Sequence, residues 1–314
     1  MLKRSIPWKK ACAKAIPLWM VILLMAYSVM ASSLIEYYIL KRNFNDHIIK
    51  LAKTAKNPDE LVQILKQQVL PQKGYVLGVT LSDIGSKLLE SGVIDKQKYE
   101  QLFVNEKMSK DMMKYLTASS KDHMMINEGN AHFMVNTLWA FGLVNKNKIL
   151  EEGSMATYGK GNPMTYASTG GWTLGQRSTR EVYSSKELIK LSTKQQELVE
   201  KIAQNVFRPC CNNSTEFPDC NHGMAALGYI EIAVSQGISE KQIYKDILML
   251  NSFWFPKQYV ELAAYMNKQK IEWKHVDPKR ALSAEYSSAA GSQKISLAVQ
   301  NLPGFNIRGG GCST

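Results

Sequence analysis

A chain of 314 residues with 45% hydrophobic residues is long enough to bury one large core or two smaller ones. The formal net charge is +12. Part of this excess lies beside the N-terminal apolar run, and the rest is spread thinly with no dense basic patch interleaved with aromatics. Nucleic-acid binding is therefore not expected, and no nucleophile-elbow or His-Glu-x-x-His motif is present to name a reaction.

Residues 1–40 are predicted to form a membrane anchor. Residues 1–14 carry basic side chains and no acidic one, and the uncharged run from Ala15 to Ile35 is long enough to cross a bilayer as a helix. A signal peptide cleaved after Val29 to Ala31 is the alternative. The acid-free first flank favours a single-pass protein of the cell membrane whose bulk is extracytoplasmic. The expected partners are the lipid bilayer and other subunits of a membrane complex.

After the anchor, the sequence predicts an all-α fold, an irregular helical domain with long ordered loops. Strands are expected to be few if any, because sustained alternation of apolar and polar residues is absent, and Pro71 to Val79 is interpreted as an extended connection. The predicted units are a helical subdomain at 41–152, a Gly/Ser/Thr-rich loop or lid at 153–184, a second helical subdomain carrying the cysteines at 185–302, and a flexible glycine-rich tail at 303–314.

A strongly apolar helix is predicted from Asn130 to Val144. His132, Asn136 and Trp139 recur on one stripe of this helix. The ordinary interpretation of His132 is a core histidine with a satisfied hydrogen bond, and the sharper hypothesis is that it reaches the cysteines.

Three of the five cysteines lie within the short stretch from Arg208 to Met224, which also contains Pro209 and Pro218. Prolines restrict the backbone, so these groups are held rather than free to move. The sequence predicts a site for a thiophilic metal ion, namely zinc, copper or iron. Its predicted ligands are Cys210, Cys211, Cys220 and His222. Their spacing differs from the standard zinc-binding spacings, so the motif alone does not identify the metal.

A helix is predicted to begin at this stretch, with Asp219 as its N-cap and Cys220 in its first turn. Free backbone N–H groups and the helix dipole favour a thiolate there. Cys220 and His222 point to different sides of a regular helix. They can therefore share a metal only if Cys220 lies in the non-helical approach.

Two other interpretations of the cysteines stay open. In the first, a disulfide from Cys210 or Cys211 to Cys220 staples a loop in a structural subunit of a membrane complex. In the second, the chain is a thiol–disulfide exchange protein, with Cys220 as the attacking thiolate, Cys210 or Cys211 as its partner, and Cys312 as a resolving thiol.

Overall fold

The computed structural model of the protein describes residues 17–35, 57–103, 110–117, 120–158 and 161–305. Helices make up 63% and strands 6% of these residues, so the predicted, mainly helical architecture is confirmed. The basic N-terminal segment 1–14 lies outside the described residues. So do residues 306–314 of the predicted tail, which include Cys312.

The N-terminal apolar run is one helix, α1 (Leu18–Ile35), of 18 residues with a mean hydropathy of 2.1. Most of its large side chains are exposed, including Leu23, Leu24 and Met25. By length and composition α1 can cross a membrane, and a signal sequence near an N-terminus has the same properties.

The remaining helices differ widely in length. The longer ones are α2 (Pro58–Val69), α3 (Ile84–Glu90), α4 (Lys96–Leu102), α5 (Lys110–Thr117), α6 (Ala131–Val144), α11 (Thr193–Ala203), α12 (Asn221–Ser235), α13 (Glu240–Trp254), α14 (Pro256–Lys268) and α17 (Ala289–Val299). The single-turn helices are α7 (Lys148–Glu151), α8 (Ser154–Thr157), α9 (Ala167–Gly170), α10 (Thr179–Val182), α15 (Pro278–Ala281) and α16 (Ala284–Ser287). Within the described part of the chain, 3-10 turns also lie at Pro163–Thr165 and Trp273–His275.

Two strands interrupt the helical pattern. β1 (Tyr75–Ser82) pairs antiparallel with β2 (Ser120–Ile126), so the expected extended connection at 71–79 is wrong over most of its length. Leu77, Val79 and Leu81 are buried at alternate positions of β1. This is the two-residue period of a strand with one face on the core.

The centre of the core is the contact between α6 and α12. Both helices are apolar on nearly every face, as expected for helices surrounded by protein. They approach so closely that a Cβ atom on Gly142 would lie 2.3 Å from the carbonyl oxygen of Met224, and one on Gly228 would lie 2.4 Å from that of Leu138. α6 belongs to the first predicted subdomain and α12 to the second, and the division between them stays a prediction. This packing fixes the N-terminal end of α12, where the cysteines lie.

Candidate metal centre

The loop that leads into α12 is folded around the side chain of Arg208, which is only 1% exposed. Its Nη1 donates a hydrogen bond to the carbonyl oxygen of Asn213 at 3.0 Å, and its Nη2 donates to the carbonyl oxygen of Phe217 at 3.0 Å. The same Nη2 forms an ion pair with Asp219 Oδ1 at 2.6 Å, and Nε donates to Cys220 Sγ at 3.1 Å. A single guanidinium therefore organises the loop from within.

Backbone hydrogen bonds tie this loop to the rest of the domain. The N–H of Phe207 donates to the carbonyl oxygen of Leu282 at 2.9 Å, and that of Ala289 donates to the carbonyl oxygen of Cys211 at 2.8 Å. The carbonyl oxygen of Asp219 accepts from the N–H of Ser168 at 3.0 Å. These hydrogen bonds therefore hold the cysteine-bearing loop in one position against the rest of the domain.

The three cysteine sulfurs lie together in this loop. Cys210 Sγ is 3.5 Å from Cys220 Sγ and 3.5 Å from Cys211 Sγ, and all three atoms lie within 4.8 Å of one another. None is disulfide-bonded, since a disulfide would bring two sulfurs to about 2.0 Å. Zinc–sulfur bonds of about 2.3 Å in a tetrahedral arrangement place sulfurs about 3.8 Å apart. The spacing of this group is therefore close to that of a thiolate metal site.

The helix begins one residue later than predicted, with Cys220 itself as the N-cap of α12. Its backbone is extended, with φ −122° and ψ 165°, and its sulfur accepts a hydrogen bond from the N–H of Gly223 at 3.3 Å. The predicted cap, Asp219, instead pairs with Arg208, which removes its carboxylate from the capping position. The cysteine sulfur thus takes the place of the usual oxygen acceptor at a helix start.

The surroundings of Cys220 favour its thiolate. Hydrogen bonds from Cys210 and Cys211 hold the pKa of Cys220 well below its ordinary value. Burial opposes this shift, and the charge and hydrogen bond of Arg208 reinforce it. The pKa of Cys210 is raised, chiefly by its hydrogen bonds to the two other thiols. Burial disfavours the charge of Arg208, but the neighbouring sulfurs outweigh it, so the net pKa is raised. In the absence of metal, the group therefore carries its negative charge on Cys220.

The predicted fourth ligand, His222, is not among the atoms brought together. Its side chain is 6% exposed, and its ring packs 4.4 Å from that of Phe255 and 5.7 Å from that of Trp254, measured between centroids. Burial lowers the pKa of His222 to about 4, with smaller effects from Cys220, Arg208 and His132. Cys220 does occupy the non-helical approach to α12, yet His222 faces a neighbouring cavity rather than the sulfurs.

His132 also lies apart from the three sulfurs and lines the same cavity as His222. The hypothesis that His132 reaches the cysteines stays a prediction, since the group of potential ligand atoms within the described residues contains the three sulfurs and not His132. Sequence reasoning gave no role to Arg208, although it directly precedes Pro209 and Cys210. Its only signal in the sequence was a single basic residue at the edge of the cysteine stretch.

Comparison with known protein families, with curated proteins and with solved structures finds no match for this chain.

Proposed function

We propose that the protein binds a thiophilic metal ion through the Sγ atoms of Cys210, Cys211 and Cys220. The observation that carries this proposal is the grouping of three unbonded sulfurs within 4.8 Å of one another. Thiolates are soft ligands that select zinc, copper(I) and iron–sulfur centres over magnesium or calcium. Of the expected cofactors, zinc and copper(I) suit a single ion held by three sulfurs, and iron is the third candidate.

Three protein ligands leave a fourth position open around a tetrahedral ion. That position is free for water, a small molecule or a group from another protein. The site is thus proposed as one that exchanges a ligand or passes on its ion, rather than one closed by four protein ligands. His222 is not required as a ligand in this proposal.

The charges around the sulfurs suit a cation bound by thiolates. Arg208 and Asp219 neutralise each other as an ion pair at 2.6 Å, which leaves the thiolate charges to be balanced by the metal. The hydrogen bond from Arg208 Nε to Cys220 Sγ orients that sulfur, as residues behind metal ligands commonly do. Both contacts support a site whose ligands are fixed before the ion arrives.

For the location of the site, we propose that α1 is a single-pass anchor in the cell membrane and that the domain is extracytoplasmic. The length and apolar composition of α1 support the anchor, and the acid-free residues 1–14 support this orientation. The bilayer and other subunits of a membrane complex are the proposed partners. Attachment of a reporter after residue 305, with protease protection in intact cells, tests the orientation.

Metal analysis of the full chain, purified without oxygen and in mild detergent, tests the metal site. We expect one equivalent of zinc or copper per chain, and its loss in Cys210→Ser, Cys211→Ser and Cys220→Ser variants. Cys312→Ser is the matched control and should keep the metal. Substitution by cobalt should give thiolate charge-transfer bands. The proposal would be overturned if the wild-type chain, with Cys210, Cys211 and Cys220 all reduced, retained no stoichiometric metal.

Thiol–disulfide exchange is a second candidate, favoured by the 3.5 Å separation of Cys210 Sγ and Cys220 Sγ. In this reaction the Cys220 thiolate attacks a disulfide of a partner and releases one partner thiolate. The Cys210 thiol then loses its proton and attacks the mixed disulfide, which releases the second partner thiol and leaves a Cys210–Cys220 disulfide. Trapping tests this candidate, because a Cys210→Ser variant should accumulate the mixed disulfide. Metal loading of the wild type should suppress the exchange.

A further inference from the structure

We infer that the cavity beside the cysteines binds a small, uncharged, planar aromatic molecule that carries an N–H or O–H group. The cavity has a volume of about 780 Å³, and lies between α6, the segment around Trp172, the start of α12 and the end of α13. This volume falls within the range typical of small-ligand sites. The inference does not rest on the proposed metal.

The walls of the cavity are aromatic and held in place. Trp139 and Trp172 meet edge to face with centroids 4.7 Å apart. Trp139 Nε1 donates to the carbonyl oxygen of Ser168 at 2.7 Å, and Trp172 Nε1 donates to that of Val93 at 2.8 Å. Trp254 and Phe253 complete the aromatic lining. Rigid indole rings lose little conformational freedom when a flat ligand stacks on them, so they favour a planar aromatic ligand.

Polar atoms of His222, Asn136 and Trp254 on the wall have no hydrogen-bond partner among the described residues, and for Trp254 this atom is the buried Nε1. His222 is 6% exposed, and neither of its ring nitrogens forms a hydrogen bond there. Asn136 is also 6% exposed, and its Nδ2 donates to the carbonyl oxygen of His132 while its Oδ1 accepts nothing. Buried polar groups are nearly always hydrogen-bonded, and those left open at a cavity commonly fix the orientation of a ligand.

The few charged side chains at the cavity favour a neutral ligand. Among its described lining residues, Glu128 is the one acid and no lysine or arginine is present. The Glu128 side chain is 63% exposed and forms an ion pair with Lys66 at 2.6 Å, so it belongs to the rim. Among these described residues a buried anion would find no lysine or arginine, and a buried cation would find no acid away from the rim. This favours a neutral ligand that donates a hydrogen bond to Asn136 Oδ1 or to the imidazole of His222.

Fluorine NMR of the full chain in lipid nanodiscs, labelled with 5-fluorotryptophan, tests this inference. The probes are 2-quinolone, its N-methyl derivative and 2-naphthoate, each titrated with and without a metal chelator. We expect 2-quinolone to shift the resonances of Trp139, Trp172 and Trp254 in a saturable manner. Trp273, which lies outside the cavity lining, is the internal control. N-methylation should weaken binding about threefold to tenfold, the usual effect of one lost hydrogen bond, and 2-naphthoate should not saturate.

The matched variants are His222→Phe and Asn136→Leu, which keep the side-chain shape and remove the polar atoms. The variant that removes the acceptor of the single 2-quinolone N–H should lower the affinity for 2-quinolone by about threefold to tenfold, and should leave that for N-methyl-2-quinolone nearly unchanged. Equal affinity for the three probes in the wild type, or no saturable shift of the three cavity tryptophans, would overturn the inference. The probe comparison in the wild type needs no variant to fold. The titrations with a chelator measure probe binding without metal. Failure of probe binding therefore leaves the proposed metal site untouched, and absence of metal leaves the inference about the cavity untouched.

Discussion

The guanidinium of Arg208 lies directly against Gly223, in the first turn of α12. A Cβ atom on Gly223 would be 2.7 Å from Arg208 Cζ and 2.8 Å from its Nε. No ordinary side chain tolerates such distances. The absence of a side chain at Gly223 therefore allows Arg208 to reach Cys220 from beneath the helix.

The first prediction follows from this contact. Gly223→Ala should destabilise the fold by about 1–3 kcal/mol, the usual cost of overpacking, because Arg208 is held by several hydrogen bonds and cannot move aside. Thermal denaturation of the full chain in detergent measures the effect. Gly129→Ala is the control, since its new methyl group meets only the side-chain oxygen of Asn127 at 3.3 Å. Equal stability of the two variants would contradict the prediction.

The second prediction concerns the guanidinium itself. Arg208→Lys keeps the positive charge but offers one ammonium in place of a planar fork, so several acceptors lose their donor. We expect a loss of about 2–4 kcal/mol in the free energy of unfolding, together with weaker metal retention. Arg180→Lys, at an exposed position, should change neither property. Urea denaturation measures the first quantity and metal analysis the second. A variant as stable as the wild type would mean that Arg208 does not hold the loop.

The third prediction concerns the pH dependence of Cys220. Its pKa is lowered in the fold, so the metal-free protein should react with iodoacetamide at Cys220 well below pH 8.5, about the ordinary thiol value. The pKa of Cys210 is raised, so its alkylation should lag behind. Peptide mass spectrometry over a pH series measures both rates. The thiolate contributes stability that is full above about pH 8.5 and is lost as the pH falls through the folded pKa. Simultaneous titration of the two thiols near pH 8.5 would refute the assignment.

The fourth prediction concerns Glu231, which is fully buried between α12 and α6. Burial raises its pKa well above the ordinary value, against the opposing hydrogen bond that Asn145 Nδ2 donates to it. Below about pH 4.3 this acid is neutral in both the folded and the unfolded chain, and above that the unfolded chain gains by ionising. Its contribution to stability therefore falls as the pH rises from about 4.3 to the folded pKa.

Glu231→Gln removes this titration while keeping an acceptor for Asn145. The stability of the variant relative to the wild type should therefore increase steadily from pH 5 to pH 8. Chemical denaturation at several pH values measures the difference. Glu197→Gln, at an exposed position of α11, is the control and should show no such trend. A difference that does not vary with pH would argue that the Glu231 carboxyl is not neutral in the fold.

Sequence reasoning located the sulfur group because its signal is local. Cys210, Cys211 and Cys220 lie within one short stretch, and the prolines around them indicate a held backbone. The start of α12 was predicted within one residue. The predicted N-cap was Asp219, whereas the N-cap in the structure is Cys220. A carboxylate is the better capping group in isolation, and only the fold reveals that Arg208 competes for Asp219.

The features that sequence reasoning did not find depend on contacts between distant segments. β1 carried its period of two in Leu77, Val79 and Leu81, but its partner strand lies almost 40 residues further along the chain. The cavity joins α6 to the start of α12, and its stripe of His132, Asn136 and Trp139 was visible without any sign of what it faces. Close helix packing at Gly142 and Gly228 likewise requires knowledge of which helices meet.

The use of a sulfur atom to begin α12 makes the local fold sensitive to oxidants. Conversion of Cys220 to a disulfide or a sulfenic acid would take away the negative charge beside Arg208 and weaken the acceptor of the Gly223 N–H. The buried guanidinium would then keep its ion pair with Asp219 but lose its hydrogen bond to a thiolate. Peroxide treatment should therefore speed amide hydrogen exchange in the first turn of α12, a response that a serine or aspartate cap would not give.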